Sequence, residues 1–289
     1  MNIKKSIQLA FEYYQAGNLQ KAEKSCREIL NAEPDNDDAL HFLGMIQYQL
    51  GNYNSAIEYI EKALHLNPNL VDAYYNLGNI FRDKGQLDNA ITCYQKAVQL
   101  DPQFAYAYNN LGNVLQDKGQ LDNAITCYQK AVQLDPQFAY AYNNLGNIFR
   151  DKGQLDDAIT CYQKALELNP YYADSYYNLG NSFRDKGQLD DAITSLKKAL
   201  QLDPSLLGAY NNLGNIFRDK GQLDDAITYY QKALQFKQDF AEAYNNMGVA
   251  FMDKDNTNEA IFCFQKALAL KPSLAEAYCN IVDSVTSIL

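Results

Sequence analysis

Residues 105–138 read AYAYNNLGNVLQDKGQLDNAITCYQKAVQLDPQF, and this stretch decides the architecture. Its first half places Tyr108, Leu111, Gly112 and Leu115 at i, i+3, i+4 and i+7, one stripe along a helix. The second half repeats that spacing with Leu121, Ala124, Ile125, Tyr128 and Ala131. Between them, Asp117-Lys118-Gly119-Gln120 ends the first helix, because glycine enters the left-handed conformation without steric cost. Asp122 falls in the first turn of the second helix, where a carboxylate meets the positive end of the helix dipole. Asp135-Pro136 stops that helix, and Pro136 is suited to begin the next one near its first position. Small side chains at Gly112, Ala124 and Ala131 let the two antiparallel helices approach, with Tyr108, Leu111 and Tyr128 filling the space around the contact.

The same unit recurs along the chain of 289 residues. All seven prolines (34, 68, 102, 136, 170, 204, 272) share one register with a step of 34, interrupted only at Gln238. Fourteen of the fifteen glycines fall in two registers of that period, and residues 83–113 and 117–147 are identical over 31 positions. A repeat of this kind buries its apolar stripe only against its neighbours, so the chain grows along a line rather than around one core.

Those residues and their counterparts 34 positions away resemble the tetratricopeptide repeat family. The likeness covers eight repeats, 3–36, 37–70, 71–104, 105–138, 139–172, 173–206, 207–240 and 241–274, followed by 275–289 as a C-terminal capping or half-repeat helix. It implies an all-α solenoid, a right-handed superhelix of antiparallel helix pairs whose first helices line a concave groove. Departures gather toward the ends: Ala10 for glycine, Cys26 and Ile60 for the aromatic, Asp255 for the turn glycine and Val282 for the small residue. The ending Val285-Thr286-Ser287-Ile288-Leu289 is apolar for a cap; either the chain was cut from a longer one or it makes a homodimer contact through this helix.

Opposite the packing stripe, the first helix of the template presents Tyr106, Asn109, Asn110, Asn113, Gln116 and Asp117. One register is asparagine in seven consecutive helices: Asn76, Asn110, Asn144, Asn178, Asn212, Asn246 and Asn280. A second holds Asn79, Asn113, Asn147, Asn181 and Asn215, and a third holds Arg82, Arg150, Arg184 and Arg218, each followed by an aspartate. A side-chain amide offers a donor and an acceptor and so pairs with a peptide backbone whatever its sequence. First helices packed about 8–10 Å apart would repeat that offer every three or so residues of an extended strand. Against this, the asparagines could bond within the scaffold or simply have been copied as the repeats duplicated. The arginines either neutralise their aspartates or grip carboxylates or phosphates of a partner. Tyr75, Tyr106, Tyr140 and Tyr177 either anchor a ligand or pack between repeats.

An asparagine ladder in this register is similar to the repeat arm of O-linked N-acetylglucosamine transferase, which implies a protein scaffold holding extended segments, or else the substrate-recruiting arm of a larger glycosyltransferase of that kind. The lysine- and arginine-lined clamp of another branch of the family does not match, since Asp38, Asp72, Asp174, Glu242 and Glu276 occupy its positions.

Composition narrows the partners. A formal net charge of -10 repels phosphate backbones, which argues against nucleic acid. No stretch approaches a membrane span or a signal h-region, so membrane insertion is not expected and a cytoplasmic location is the default. Six cysteines, four of them in one repeat register and none in a CxxC pair, read as reduced thiols. Two histidines, His41 and His65, on different helices rule out most metal sites and argue against a Cys–His or Ser–His nucleophile. No catalytic residue, metal or cofactor is expected; the expected partner is a protein or peptide.

Overall fold

The computed structural model describes the backbone of residues 3–286 and the side chains of residues 3–282, so the apolar ending at 285–289 lies outside the described side chains. Among the described residues there are seventeen helices and no strand. The chain divides into two compact units, 1–141 and 142–289. The first unit holds α1 (Ile3–Gln15), α2 (Leu19–Ala32), α3 (Asp37–Gln49), α4 (Tyr53–Leu66), α5 (Val71–Asp83), α6 (Leu87–Leu100), α7 (Ala105–Asp117) and α8 (Leu121–Leu134), and α9 (Ala139–Asp151) carries the boundary. The second holds α10 (Leu155–Leu168), α11 (Ala173–Asp185), α12 (Leu189–Leu202), α13 (Leu207–Asp219), α14 (Leu223–Phe236), α15 (Ala241–Met252), α16 (Thr257–Leu270) and α17 (Ala275–Thr286). In each unit consecutive helices pack in pairs, and alternate helices touch as well, so the odd-numbered ones form a row along one side.

The short turns follow from helix-termination chemistry. Gly119, at φ +73°, donates its N–H to Gln116, and Gln120 donates to Leu115, so two carbonyls at the helix end are satisfied by the chain that follows. Asp255 adopts the same turn at φ 61°, the one positive-φ residue other than glycine among those described. After α8 the chain is held by an Asx turn, with Gln137 N–H on Asp135 Oδ1 at 2.9 Å. Helix α9 begins only at Ala139, so Pro136 ends one helix without starting the next. The residue before several first helices is apolar and caps nothing; Leu70, Phe104, Leu206 and Phe240 instead pack against the core at the joint between repeats.

Within a pair, glycine on the first helix faces a large side chain on the second. A methyl placed on Gly112 would lie 2.7 Å from Tyr128 Cε1, far inside van der Waals contact. The pairing adapts where the sequence departs: Gly44 faces Ile60, Gly180 faces Leu196 and Gly248 faces Phe264. In the first repeat Ala10 and Cys26 are both buried, so a larger residue on one helix accompanies a smaller one on the other. At α17, Val282 stands at the glycine position and is 60% exposed, as no second helix follows it among the described residues.

A second device joins neighbouring repeats along the turn edge. Lys118, Lys186, Lys220 and Lys254 each reach back 30 residues to Asp88, Asp156, Asp190 and Asp224. These aspartates, read from sequence only as partners of the helix dipole, also clasp the next turn. The aspartates are exposed, so each pair contributes at most about 1 kcal/mol.

Candidate functional site

The asparagine registers lie on the row of first helices, and most of their bonds run inside the scaffold. In the second register the amide oxygen accepts a hydroxyl from the buried tyrosine of the same repeat. Tyr94 donates to Asn79 (2.7 Å), Tyr128 to Asn113 (2.7 Å), Tyr162 to Asn147 (2.8 Å) and Tyr230 to Asn215 (2.7 Å). A phenol without accessible surface needs such an acceptor, and burial pushes its proton affinity up. Asn181 has no tyrosine to serve, because Leu196 stands there; its carbonyl accepts from Asn212 at 2.6 Å instead.

Within each unit the first register ties first helices to the ones before them. Asn76 Nδ2 bonds His41 Nε2 at 2.9 Å, and Asn110 donates to Tyr75 Oη at 3.1 Å and to Asn79 at 3.0 Å. In the second unit Asn178 donates to Asn143 (3.3 Å), Asn246 to Asn211 (3.0 Å) and Asn280 to Asn245 (3.1 Å). Acceptors vary among ring nitrogen, phenol and amide, while the donor is always this asparagine. That constancy explains the run of one residue type: a short amide delivers an N–H to whatever the previous helix presents. Asn144 is also engaged.

Asn109 departs from the sequence reading. It was placed on the outward face, yet it is 6% exposed, and Asn143 and Asn245 are buried in the same way. In the doublets Asn245-Asn246 and Asn211-Asn212 the first asparagine accepts the bond from the next repeat. The doublet itself was the available signal, since one residue of it had to face the neighbouring helix.

The arginines chiefly pair with the following aspartate: Arg82 with Asp83 and Arg184 with Asp185 at 2.9 Å, Arg218 with Asp219 at 3.3 Å, Arg150 with Asp151 at 3.7 Å. Arg150 also donates to Asn178 Oδ1 at 3.3 Å. The tyrosines divide. Tyr75 packs on Phe104, with ring centroids 4.9 Å apart, and Tyr177 fills the space over Gly208. Tyr106 also packs, on Phe138 with centroids 4.6 Å apart, but it remains 53% exposed, and Tyr140 is 56% exposed.

One recess gathers several of these residues. In the second unit a cavity of about 460 Å³ is lined by Arg184, Asn215, Arg218, Asn246 and Asn280, together with Asp219, Asn245, Val249 and Glu276. Its floor is an amide network in which Asn280 donates to Asn245, Asn245 to Asn246 and Asn246 to Asn211. Each amide carries two N–H groups and two acceptor sites. Asn245 and Val249 are lining residues that reading the sequence did not single out. Among the described residues no cluster of His, Cys, Asp and Glu is placed to hold a metal, and no helix is long and apolar enough to cross a membrane.

Comparison with known proteins fits this repeat architecture. Models described as TPR repeat or tetratricopeptide repeat match residues 13–80, 78–119, 112–149, 146–183, 180–217, 214–255 and 241–274. The chain belongs to the tetratricopeptide repeat family. The crystal structure of YrrB, described as a TPR protein with an unusual peptide-binding site, is 27% identical, with a TM-score of 0.55 over 64% of this chain and 96% of that one. The crystal structure of MamA protein is 31% identical, with a TM-score of 0.54 over 60% of this chain and 94% of that one. A chain of the APC/C hetero-tetramer Cut9–Hcn1 is 20% identical over 92% of this chain and 52% of that one, with a TM-score of 0.66, a likeness of fold. No curated protein matches.

Proposed function

We propose that the row of first helices holds an extended segment of another protein, chiefly by its backbone. The observation that carries this reading is the recess on α11, α13, α15 and α17, where Asn215, Asn246 and Asn280 meet Arg184 and Arg218. Amide groups that spend part of their capacity on one another are held in fixed positions, so a ligand need not order them, which lowers the cost of binding. Their mixture of donors and acceptors suits a peptide strand, and the nearby Arg–Asp pairs suit polar side chains of either sign. In the first unit the exposed part of the Tyr106 ring supplies flat contact area of the kind that dominates interface energetics. YrrB, which shares this fold, is described as having a peptide-binding site, and this supports the same class of ligand here.

The ladder also holds the scaffold together, so alanine at Asn246 would mix binding with stability. Val249 separates them, because it lines the recess and donates nothing. Peptides selected from a random display library against the intact chain should include a class that loses binding to Val249→Trp, which fills the recess, while helicity stays unchanged. A selection in which every peptide binds Val249→Trp and the parent equally would overturn the proposal.

A further inference from the structure

The repeats are near copies, so positions where one copy departs stand out, and three departures meet on the other side of the second unit. Lys197 replaces the glutamine found at 95, 129, 163, 231 and 265. Tyr229 replaces the cysteine of 93, 127, 161 and 263, and Phe236 replaces the leucine of 100, 134, 168, 202 and 270. In the fold these three line one groove between the second helices α12 and α14, about 410 Å³ in volume, with Tyr210 and Lys232 beside them.

The contacts within the groove are ordered. Lys197 Nζ sits 5.6 Å from the Phe217 ring centre, Phe217 stacks on Tyr229 with centroids 5.2 Å apart and planes 7° apart, and Lys232 Nζ lies 5.0 Å over Tyr229. On the far side Tyr210 stacks on Phe236 at 5.6 Å, and Phe236 remains 54% exposed. Neither Lys197 nor Lys232 pairs with a carboxylate among the described residues, unlike the turn lysines Lys186, Lys220 and Lys254. Each lysine instead holds its ammonium group over an aromatic face.

We propose that this outer groove is a second binding site, for an acidic peptide segment carrying one aromatic or aliphatic anchor. The anchor enters between Tyr210, Tyr229 and Phe236, and carboxylates flanking it reach Lys197 and Lys232. An acidic partner is the chemistry to expect here: two cations without a carboxylate partner beside the exposed Phe236 ring form a local exception in a chain of net charge -10. The site shares no lining residue with the first-helix recess, so it stands independently of the function proposed there.

The test uses residues the array already tolerates. The triple variant Lys197→Gln, Tyr229→Cys, Phe236→Leu restores the side chains of neighbouring repeats, and Lys197→Gln alone changes only an exposed position. A random-peptide display library is selected against the intact chain. Peptides in which Asp or Glu flank Phe, Leu or Tyr should be enriched, should bind the triple variant about tenfold more weakly, and should weaken as salt is raised. Lys197→Gln alone should move affinity in the same direction, while Val249→Trp should leave these peptides bound. Identical enrichment on parent and triple variant would overturn the proposal, as would loss confined to neutral or basic peptides.

Discussion

Tyr230 donates its hydroxyl to Asn215 Oδ1 at 2.7 Å, across the seam between α14 and α13. The same pair recurs at Tyr94–Asn79, Tyr128–Asn113 and Tyr162–Asn147. Where the tyrosine is absent the asparagine is usually absent too: Cys26 goes with Phe11, Ile60 with Met45 and Phe264 with Val249. The second asparagine register therefore exists first to satisfy a buried phenol.

A thermodynamic cycle tests that assignment. Tyr230→Phe should cost about 1 kcal/mol, the scale for losing one partner of a buried hydrogen bond. Adding Asn215→Val reproduces the pair that the next repeat uses, Phe264 with Val249. Chemical denaturation should show the double variant more stable than the two single losses summed; strict additivity would mean the pair is not coupled.

Asp255 holds the left-handed turn conformation that seven glycines adopt elsewhere. Asp255→Gly should therefore raise stability, by about 1 kcal/mol given the cost of that conformation for a residue with a Cβ. Gly221→Ala, at φ +72° with open space around it, should lower stability through backbone strain alone. Thermal unfolding of the two variants should move in opposite directions.

His41 accepts from Asn76 through Nε2, which requires a neutral ring, and burial holds its proton affinity below the ordinary value. A folded value lower than the unfolded one gives stability that is present above about pH 6.5 and lost as pH falls through the folded value. Nuclear magnetic resonance should place the His41 midpoint below that of a free histidine. Amide exchange in α3 and α5 should accelerate once it protonates. A midpoint at or above the free value would contradict the assignment.

The cysteines should differ sharply in reactivity. Burial pushes the Cys93 thiol up to about 12, and those of Cys26, Cys127, Cys161 and Cys263 up to about 11. Cys279 is exposed on α17. A thiol reagent near pH 8 should modify Cys279 first, as read by mass spectrometry of peptides. Equal labelling of Cys93 would show that the second helices open far more readily than their packing implies.

The helix pairs were legible in the sequence because glycine, proline and small residues do work that few others can do, at a fixed interval. Gly119 marks a turn through its own backbone freedom, and Gly112 marks a seam through the ring it faces. Asparagine is different, because an amide bonds equally well to a ligand, a neighbouring helix or a phenol. Periodicity placed Asn110 and Asn113 on one side of α7, but only coordinates reveal that Tyr75 and Tyr128 are their partners. Asn109 was misplaced for a related reason: its side chain is buried in the array, which a single-helix projection does not include. The Lys–Asp clasps at the turns escaped for the same cause, since their partners lie 30 residues apart on different helices.

Recognition through the peptide backbone is the central claim, and chemistry on the ligand tests it most directly. For a peptide bound in the recess of Asn215, Asn246 and Asn280, calorimetry should compare two altered forms: one with its backbone amides N-methylated, the other with its side chains scrambled. The account predicts that methylation abolishes binding while scrambling weakens it only modestly. Retained affinity after methylation, together with loss on scrambling, would contradict it.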